Sequence, residues 1–333
     1  MDSEEQALEP ERPIIDPHLH FWDILPAPGS LQAPQRFLFP ECLATIAASG
    51  HNITHTVFVE VSQMYRQDGP PEMRCVGETE FVTGIAAMSD SGNYGPARHA
   101  CRIVGGADLR LGARVRPVIE AHVAAAGGRF RGIRMGLVYS DQGLFGFPCE
   151  PQVRGIMLTP GFREGARVLA EMGLSLDVWC VHTQLGELAA LADALPDLVI
   201  VLDHVGTPEA TGAWRGREAG ALAEWAAAIT ELAKRPNVRV KIGGMGMDLS
   251  GAIPAGTGTE SSTALAAQWR PRVETCIAAF GPERAMFESN FPPDKAAGSY
   301  GATWNAFKRI ARDYAEEEKD RLFRGTAAET YRI

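Results

Sequence analysis

The chain has 333 residues and a formal net charge of −9, with no run of lysine or arginine and no segment approaching about 20 consecutive apolar residues. Those features exclude the usual sequence routes to a nucleic acid or an anionic membrane and leave a small molecule as the expected partner. The six cysteines are scattered without a CxxC pair and the first 13 residues are acidic and polar, so a reduced, cytoplasmic protein with structural thiols is expected. A homo-oligomer is compatible with the sequence, which is silent on oligomeric state.

Residues 1–12 read as a disordered acidic tail ahead of a single domain over 13–333. The first strong strand spans 14–23, and within it Asp16, His18 and His20 alternate, so they project from one face. Paired imidazoles serve as metal ligands, as acid/base groups or as polarisers of a carbonyl. An HxH pair also recurs by chance on surface hairpins, so the rest of the chain has to decide its meaning.

A proline-rich loop at 24–40 is long enough to be a lid, and a short helix at 41–49 follows. The second strand, 54–61, carries Glu60 near its C-terminal end and runs into a loop containing Tyr65 and Arg66. A third strand is expected at 81–88, then helices at 96–104 and 114–126. The fourth strand, 130–136, carries Arg131 and Arg134, and the place of Arg134 at its C-terminal end favours an anion clamp.

Helix 160–172 leads to strand 175–180, which ends on His182; helix 184–195 leads to strand 198–202, which ends on Asp203 and His204. Both strands are apolar runs that expire in a histidine, as in βα units of a parallel sheet. Helix 216–235, strand 238–243, a Gly/Ser/Thr-rich loop at 244–262 (a second candidate lid), helix 264–280, strand 285–291 and helix 300–314 complete the chain. Eight strand-then-helix units with polar residues at strand C-termini describe an α/β fold of the (β/α)₈ TIM-barrel type. A doubly wound open sheet is disfavoured, because Asp-Pro-His stands where a Gly-rich phosphate turn belongs. His51, His55, His99 and His122 are expected to be structural or solvent-exposed, with His99 and His122 on helices.

Six segments in order, IIDPHLHFWD, VFVEVSQMYRQDGPP, FRGIR, VHTQLGELA, VIVLDHVGTP and FESNFPPDK, resemble the amidohydrolase superfamily. Within it they are similar to the branch that includes sugar lactonases and 2-pyrone-4,6-dicarboxylate lactonase. The resemblance implies a hydrolase in which His18, His20, His182 and His204 surround a reacting carbonyl or bind divalent metal. His18, His20 and His182 are the expected ligands of one ion, zinc first, although a metal-independent site is an alternative. Where the family reads Ser-Asp-Trp/Phe-Pro, this chain has Ser289-Asn290-Phe291-Pro292, and an amide is neither a general base nor an anionic ligand.

Glu288 lies two residues before Asn290, so strand periodicity turns both into the barrel and makes Glu288 the expected base, its pKa raised towards neutrality. Asp294 and Glu60 are further candidates, with Glu60, Tyr65, Arg134 and Asp294 expected to meet substrate. The function expected from all this is hydrolysis of a small lactone. The alternatives are a metal-dependent decarboxylase or hydratase on an aromatic or unsaturated acid, and a barrel that only binds a ligand.

Overall fold

The computed structural model describes residues 5–24, 35–141, 149–209, 214–247 and 259–333. After β1 (Ile14–Leu19) the chain makes a two-stranded antiparallel ribbon, β2 (Trp22–Ile24) and β3 (Gln35–Phe37), and then α1 (Phe39–Ser49). The succession is then β4 (Ile53–Val59), α2 (Val76–Asp90), β5 (Arg98–Gly106), α3 (Arg116–Ala125), β6 (Phe130–Gly136) and α4 (Pro160–Glu171). It continues with β7 (Ser175–Trp179), α5 (Leu185–Ala194), β8 (Ile200–Leu202), α6 (Glu218–Leu232), β9 (Val238–Ile242) and α7 (Ser262–Phe280). Last come β10 (Ala285–Phe287), α8 (Tyr300–Ile310), α9 (Glu316–Asp320) and α10 (Thr326–Tyr331).

Eight strands form one parallel sheet in the order β1-β4-β5-β6-β7-β8-β9-β10. Its ends meet: Leu19 bridges Phe291, and the His20 amide donates to the Phe291 carbonyl at 2.9 Å. The result is a (β/α)₈ barrel, as the sequence implied.

Two elements differ from the expectation. Residues 81–88, expected as a strand, lie inside α2, and residues 96–104, expected as a helix, mostly form β5. In 76–90 the buried positions Val82, Ile85, Ala86 and Ser89 follow helical spacing. In β5 nearly every residue is buried, so the apolar run meets partners on both faces and reads as neither period. His99 is therefore a strand residue, while His122 is buried on α3, hydrogen-bonded to Thr79 Oγ1 and the Gly106 carbonyl.

Ile15, Val57, Val104, Val201, Met286 and Tyr331 pack into one cluster although they come from β1, β4, β5, β8, β10 and α10. Side chains from strands across the sheet meet only inside the barrel, so this cluster fills its interior and α10 plugs its N-terminal end. Chemistry is left to the C-terminal mouth. The expected disordered tail is tied down from residue 5: Ser262 N donates to Glu5 Oε1 at 2.7 Å, Leu8 N to Asn305 Oδ1 at 2.7 Å, and Lys308 Nζ to the Leu8 carbonyl at 2.7 Å. Both expected lids fall largely on residues 25–34 and 248–258, outside the described residues. Among the described residues no helix is long and apolar enough to cross a membrane.

Candidate active site

The HxH pair sits at the end of β1, where the alternation puts both rings at the mouth. His20 Nδ1 lies 2.8 Å from the Val59 carbonyl, which accepts only, so the His20 proton is on Nδ1 and its Nε2 carries a lone pair. That Nε2 is 3.2 Å from His18 Nε2. Glu288 holds the other side of the cluster, with Oε1 2.7 Å from His204 Nδ1 and Oε2 2.8 Å from His18 Nδ1. The His18 ring is centred 4.8 Å from that of His20 and 4.6 Å from that of His204.

This packing needs room and an unusual backbone. A Cβ on Gly243 or Gly244, just after β9, would collide with Glu288 or His204. His204 and Asn290 have φ of 55° and 49°, left-handed values that cost a residue with a Cβ on the order of 1 kcal/mol and concentrate at functional sites. Strand β10 stops at Phe287, so the period-two argument that paired Glu288 with Asn290 fails. Asn290 Nδ2 instead donates to Asp294 Oδ1 at 2.8 Å, and Asp294 Oδ2 accepts from Gly246 N at 3.1 Å.

Burial sets the protonation states. It pushes the His18 pKa well below its ordinary value, with the Lys241 charge adding to it and Glu288 opposing, and burial with Arg134 lowers His20 to about 3. Both rings are neutral, the form that ligates metal. For Glu288 burial pulls the pKa up, but contacts from His204 and His18 outweigh it and the pKa falls below the usual carboxylate range. The expected rise of Glu288 towards neutrality is thus corrected: two imidazole contacts keep it ionised. Asp294 moves the other way, raised by burial to about 7 despite the nearby His204 ring and its two N–H donors.

Below the histidines lies a buried charge network. Lys241 Nζ is 2.8 Å from Asp177 Oδ2, 3.2 Å from Asp203 Oδ1 and 3.2 Å from His18 Nδ1, and the Tyr331 hydroxyl donates to Asp177 Oδ2 at 2.6 Å. Arg134 reaches Glu60 Oε1 at 3.1 Å and Asp203 Oδ2 at 3.4 Å and lies over the Trp179 ring. The clamp is therefore already paired within the protein. Glu60, Tyr65 and Arg134 together line a cavity of about 340 Å³ at the ends of β4, β5 and β6. Asp16, third of the alternating residues, accepts from Ser289 Oγ at 2.6 Å and Tyr300 OH at 2.9 Å, and so ties β1 to the chain beyond β10.

His182 stands apart from the trio. Its Nδ1 accepts the Glu209 amide at 3.1 Å, its ring meets Trp214, and its buried Nε2 has no hydrogen-bond partner. An Nδ1 that accepts leaves the proton on Nε2, so His182 offers a donor rather than the lone pair expected of a ligand. Among the described residues, the ligand atoms that lie within 4.8 Å of one another are instead those of His18, His204 and Glu288, with His20 beside His18. His20 Nδ1 faces the Val59 carbonyl and His204 Nδ1 the Glu288 carboxylate, which directs their Nε2 atoms outward, whereas His18 Nδ1 lies between the Glu288 carboxylate and the Lys241 ammonium. The 3.2 Å between the Nε2 atoms of His18 and His20 approaches the edge, about 3.3 Å, of a tetrahedron with ~2.0–2.1 Å zinc–nitrogen bonds. Imidazole and carboxylate donors together suit a single divalent ion.

Residues missed by sequence reasoning are Asp177, Asp203 as a charge partner, and Glu78. The last is raised by burial and by Glu60 to about 8, and its Oε1 accepts the Val61 and Gln63 amides. Asp177 had a signal, since an acid inside the apolar run SLDVW needs a buried cation.

The amidohydrolase family model matches residues 15–333. The chain belongs to the amidohydrolase family, and it is a hydrolase. It is 34% identical over 335 residues to an uncharacterised protein of Sinorhizobium fredii, covering 96% of this chain and 98% of the relative. It is 30% identical over 330 residues to L-fucono-1,5-lactonase of Burkholderia multivorans, with 96% of each covered. Among solved structures it resembles an amidohydrolase from Burkholderia multivorans with bound zinc, at 25% identity and a TM-score of 0.72, covering 97% of this chain and 100% of that one.

Proposed function

We propose that this hydrolase opens the ring of a small lactone, and that His18, His204 and Glu288, with His20 beside them, hold a single zinc ion. The reading is carried by one observation: His18, His204 and Glu288 bring ligand atoms within 4.8 Å of one another, beside His20 and a buried carboxyl raised to about 7. The L-fucono-1,5-lactonase relative supports lactones as the substrate class.

When bound, zinc would act as a Lewis acid on the ester carbonyl. The protein's own groups supply the rest. Glu288, ionised, would supply the anionic ligand and holds His18 and His204 in orientation. Asp294, half ionised near neutrality, accepts a proton from the attacking water and returns it to the leaving ring oxygen. Asn290 does not act as a base; its amide donates to Asp294 and thereby places the carboxylate that the residue at 290 lacks. Tyr65, Glu60 and Arg134 line the cavity that receives the ring, with Arg134 held rigid by two carboxylates.

The experiment is hydrolysis of a panel of five- and six-membered sugar lactones by protein purified without chelator. Ring opening that disappears after dialysis against a chelator and returns with zinc is the expected result. A zinc-loaded protein that turns over none of the panel overturns the proposal.

A further inference from the structure

An arginine at the barrel mouth ordinarily draws an anion, but Arg134 is occupied before any substrate arrives. Its Nη1 lies 3.1 Å from Glu60 Oε1 and its Nε 3.4 Å from Asp203 Oδ2, with the Arg134 and Glu60 side chains only 10% and 8% exposed. Turning the guanidinium towards a substrate carboxylate would leave Glu60 buried without its cation, which is strongly disfavoured. The other guanidinium on the cavity, that of Arg110, is likewise paired, 2.8 Å from Asp108. Glu72, exposed on the same cavity, adds a further negative charge.

Two buried groups register the resulting field. Glu78 accepts the Val61 and Gln63 amides on either side of Ser62, while its Oε2 has no hydrogen-bond partner. Burial and the Glu60 charge raise its pKa to about 8, and Arg134 is too weak to reverse the shift. Burial, Glu60 and Glu78 raise the Tyr65 pKa as well, so its hydroxyl keeps the proton. A Cβ on Gly106 would stand 3.0 Å from the Tyr65 hydroxyl oxygen and 3.2 Å from Glu60 Oε2, so the two polar groups converge over a residue without a side chain. Together they offer a donor and an acceptor, the two roles that a hydroxyl plays at once. A carboxylate can use only the donor, and it would meet Glu60 as a like charge.

We propose that Glu60 determines the charge of the substrate: by holding Arg134 and turning its own carboxylate to the cavity, it admits hydroxylated lactones that carry no ionised group and rejects lactones that carry a carboxylate. This inference rests on the reading of the protein as a lactonase.

The test compares D-glucono-1,4-lactone with D-glucaro-1,4-lactone, which share a ring and its stereochemistry and differ only in a hydroxymethyl group replaced by a carboxylate. The zinc-loaded native chain should favour the uncharged lactone by about 100-fold in kcat/KM, the scale of a like-charge contact. Glu60→Gln removes the charge and keeps the size. In it KM for the glucarolactone should fall about tenfold while KM for the gluconolactone rises, because a hydroxyl loses its charged acceptor. Glu60→Asp, which returns the charge, should return the exclusion. A residue that serves only the fold would move both KM values the same way, and that result overturns the inference. Should Glu60→Gln not fold, the native chain decides alone: a kcat/KM for the glucarolactone equal to or above that for the gluconolactone overturns it. Should no chain turn over either lactone, calorimetry of their binding reads the same comparison. Gluconolactone bound by the native chain, with glucarolactone bound only by Glu60→Gln, would count against ring opening and leave the charge selection standing; binding of neither overturns both.

Discussion

The two sides of the barrel mouth are built differently. On the side where β1, β8 and β10 meet, His18, His20, His204 and Glu288 are buried to within 2% and pack ring against ring. On the side of β4, β5 and β6, Glu60, Tyr65 and Arg134 border a cavity of about 340 Å³. The first is dense and preorganised, which suits groups that act on a reacting atom. The second has volume to give, which suits recognition. Damage to the first should therefore appear in kcat and to the second in KM.

The largest effect is expected from Asp294→Asn, which keeps the shape and removes the base: kcat should fall roughly 10²–10⁴-fold with little change in folding. The pH profile carries the sign. The folded-state pKa of Asp294 is raised to about 7, so the base is protonated below that value and kcat/KM should climb with pH to about 7 and then level. The same shift favours the protonated carboxyl in the folded chain, so its stability contribution is full below the unfolded pKa and is lost as pH rises through about 7. An acid limb that survives in Asp294→Asn would assign the base elsewhere.

Next comes Glu288→Gln. Losing the carboxylate that stands with His18 and His204 should cost at least about 10–100-fold in zinc affinity, with the pH limb left in place. Asn290→Asp sharpens the contrast differently. It would set a second carboxylate about 2.8 Å from Asp294 Oδ1 in place of a donor, so the limb near 7 should move up by a unit or more. On the open side, Arg134→Lys keeps the charge but loses the planar fork that spans Glu60 and Asp203. There KM should rise about tenfold, roughly 1.4 kcal/mol, with kcat nearly constant. A fall confined to kcat would erase the distinction between the two sides.

How much of this was legible in the sequence depends on whether a period was at stake. The barrel was legible from apolar runs ending in His182 and His204, because a strand buried on both faces declares itself without alternation. Residues 81–88 and 96–104 were exchanged in type because each is a short run with no clear period that fits helix and strand alike. The mouth was legible as a set of residues but not as a set of partners. Glu288 and Asn290 lie past the end of β10 at Phe287, where left-handed φ at Asn290 breaks the alternation that linked them. Asp177, Asp203 and Lys241 come from three strands, and only barrel closure brings them together.

The smallest effect separates His182 from the trio it was expected to join. His182 and His204 end neighbouring strands, and the sequence treats them alike. Their Nδ1 atoms differ: in His204 it faces the Glu288 carboxylate, and in His182 it accepts the Glu209 amide. The first arrangement leaves Nε2 a lone pair for an ion; the second leaves it a proton for a substrate oxygen. His204→Gln should accordingly lose zinc. His182→Gln should keep zinc affinity within about threefold and raise KM by a factor of about 5–10, the worth of one neutral hydrogen bond of roughly 1–1.5 kcal/mol. Equal loss of zinc in both variants would restore His182 as a ligand, and would require its Nδ1 to release the Glu209 amide when the ion binds.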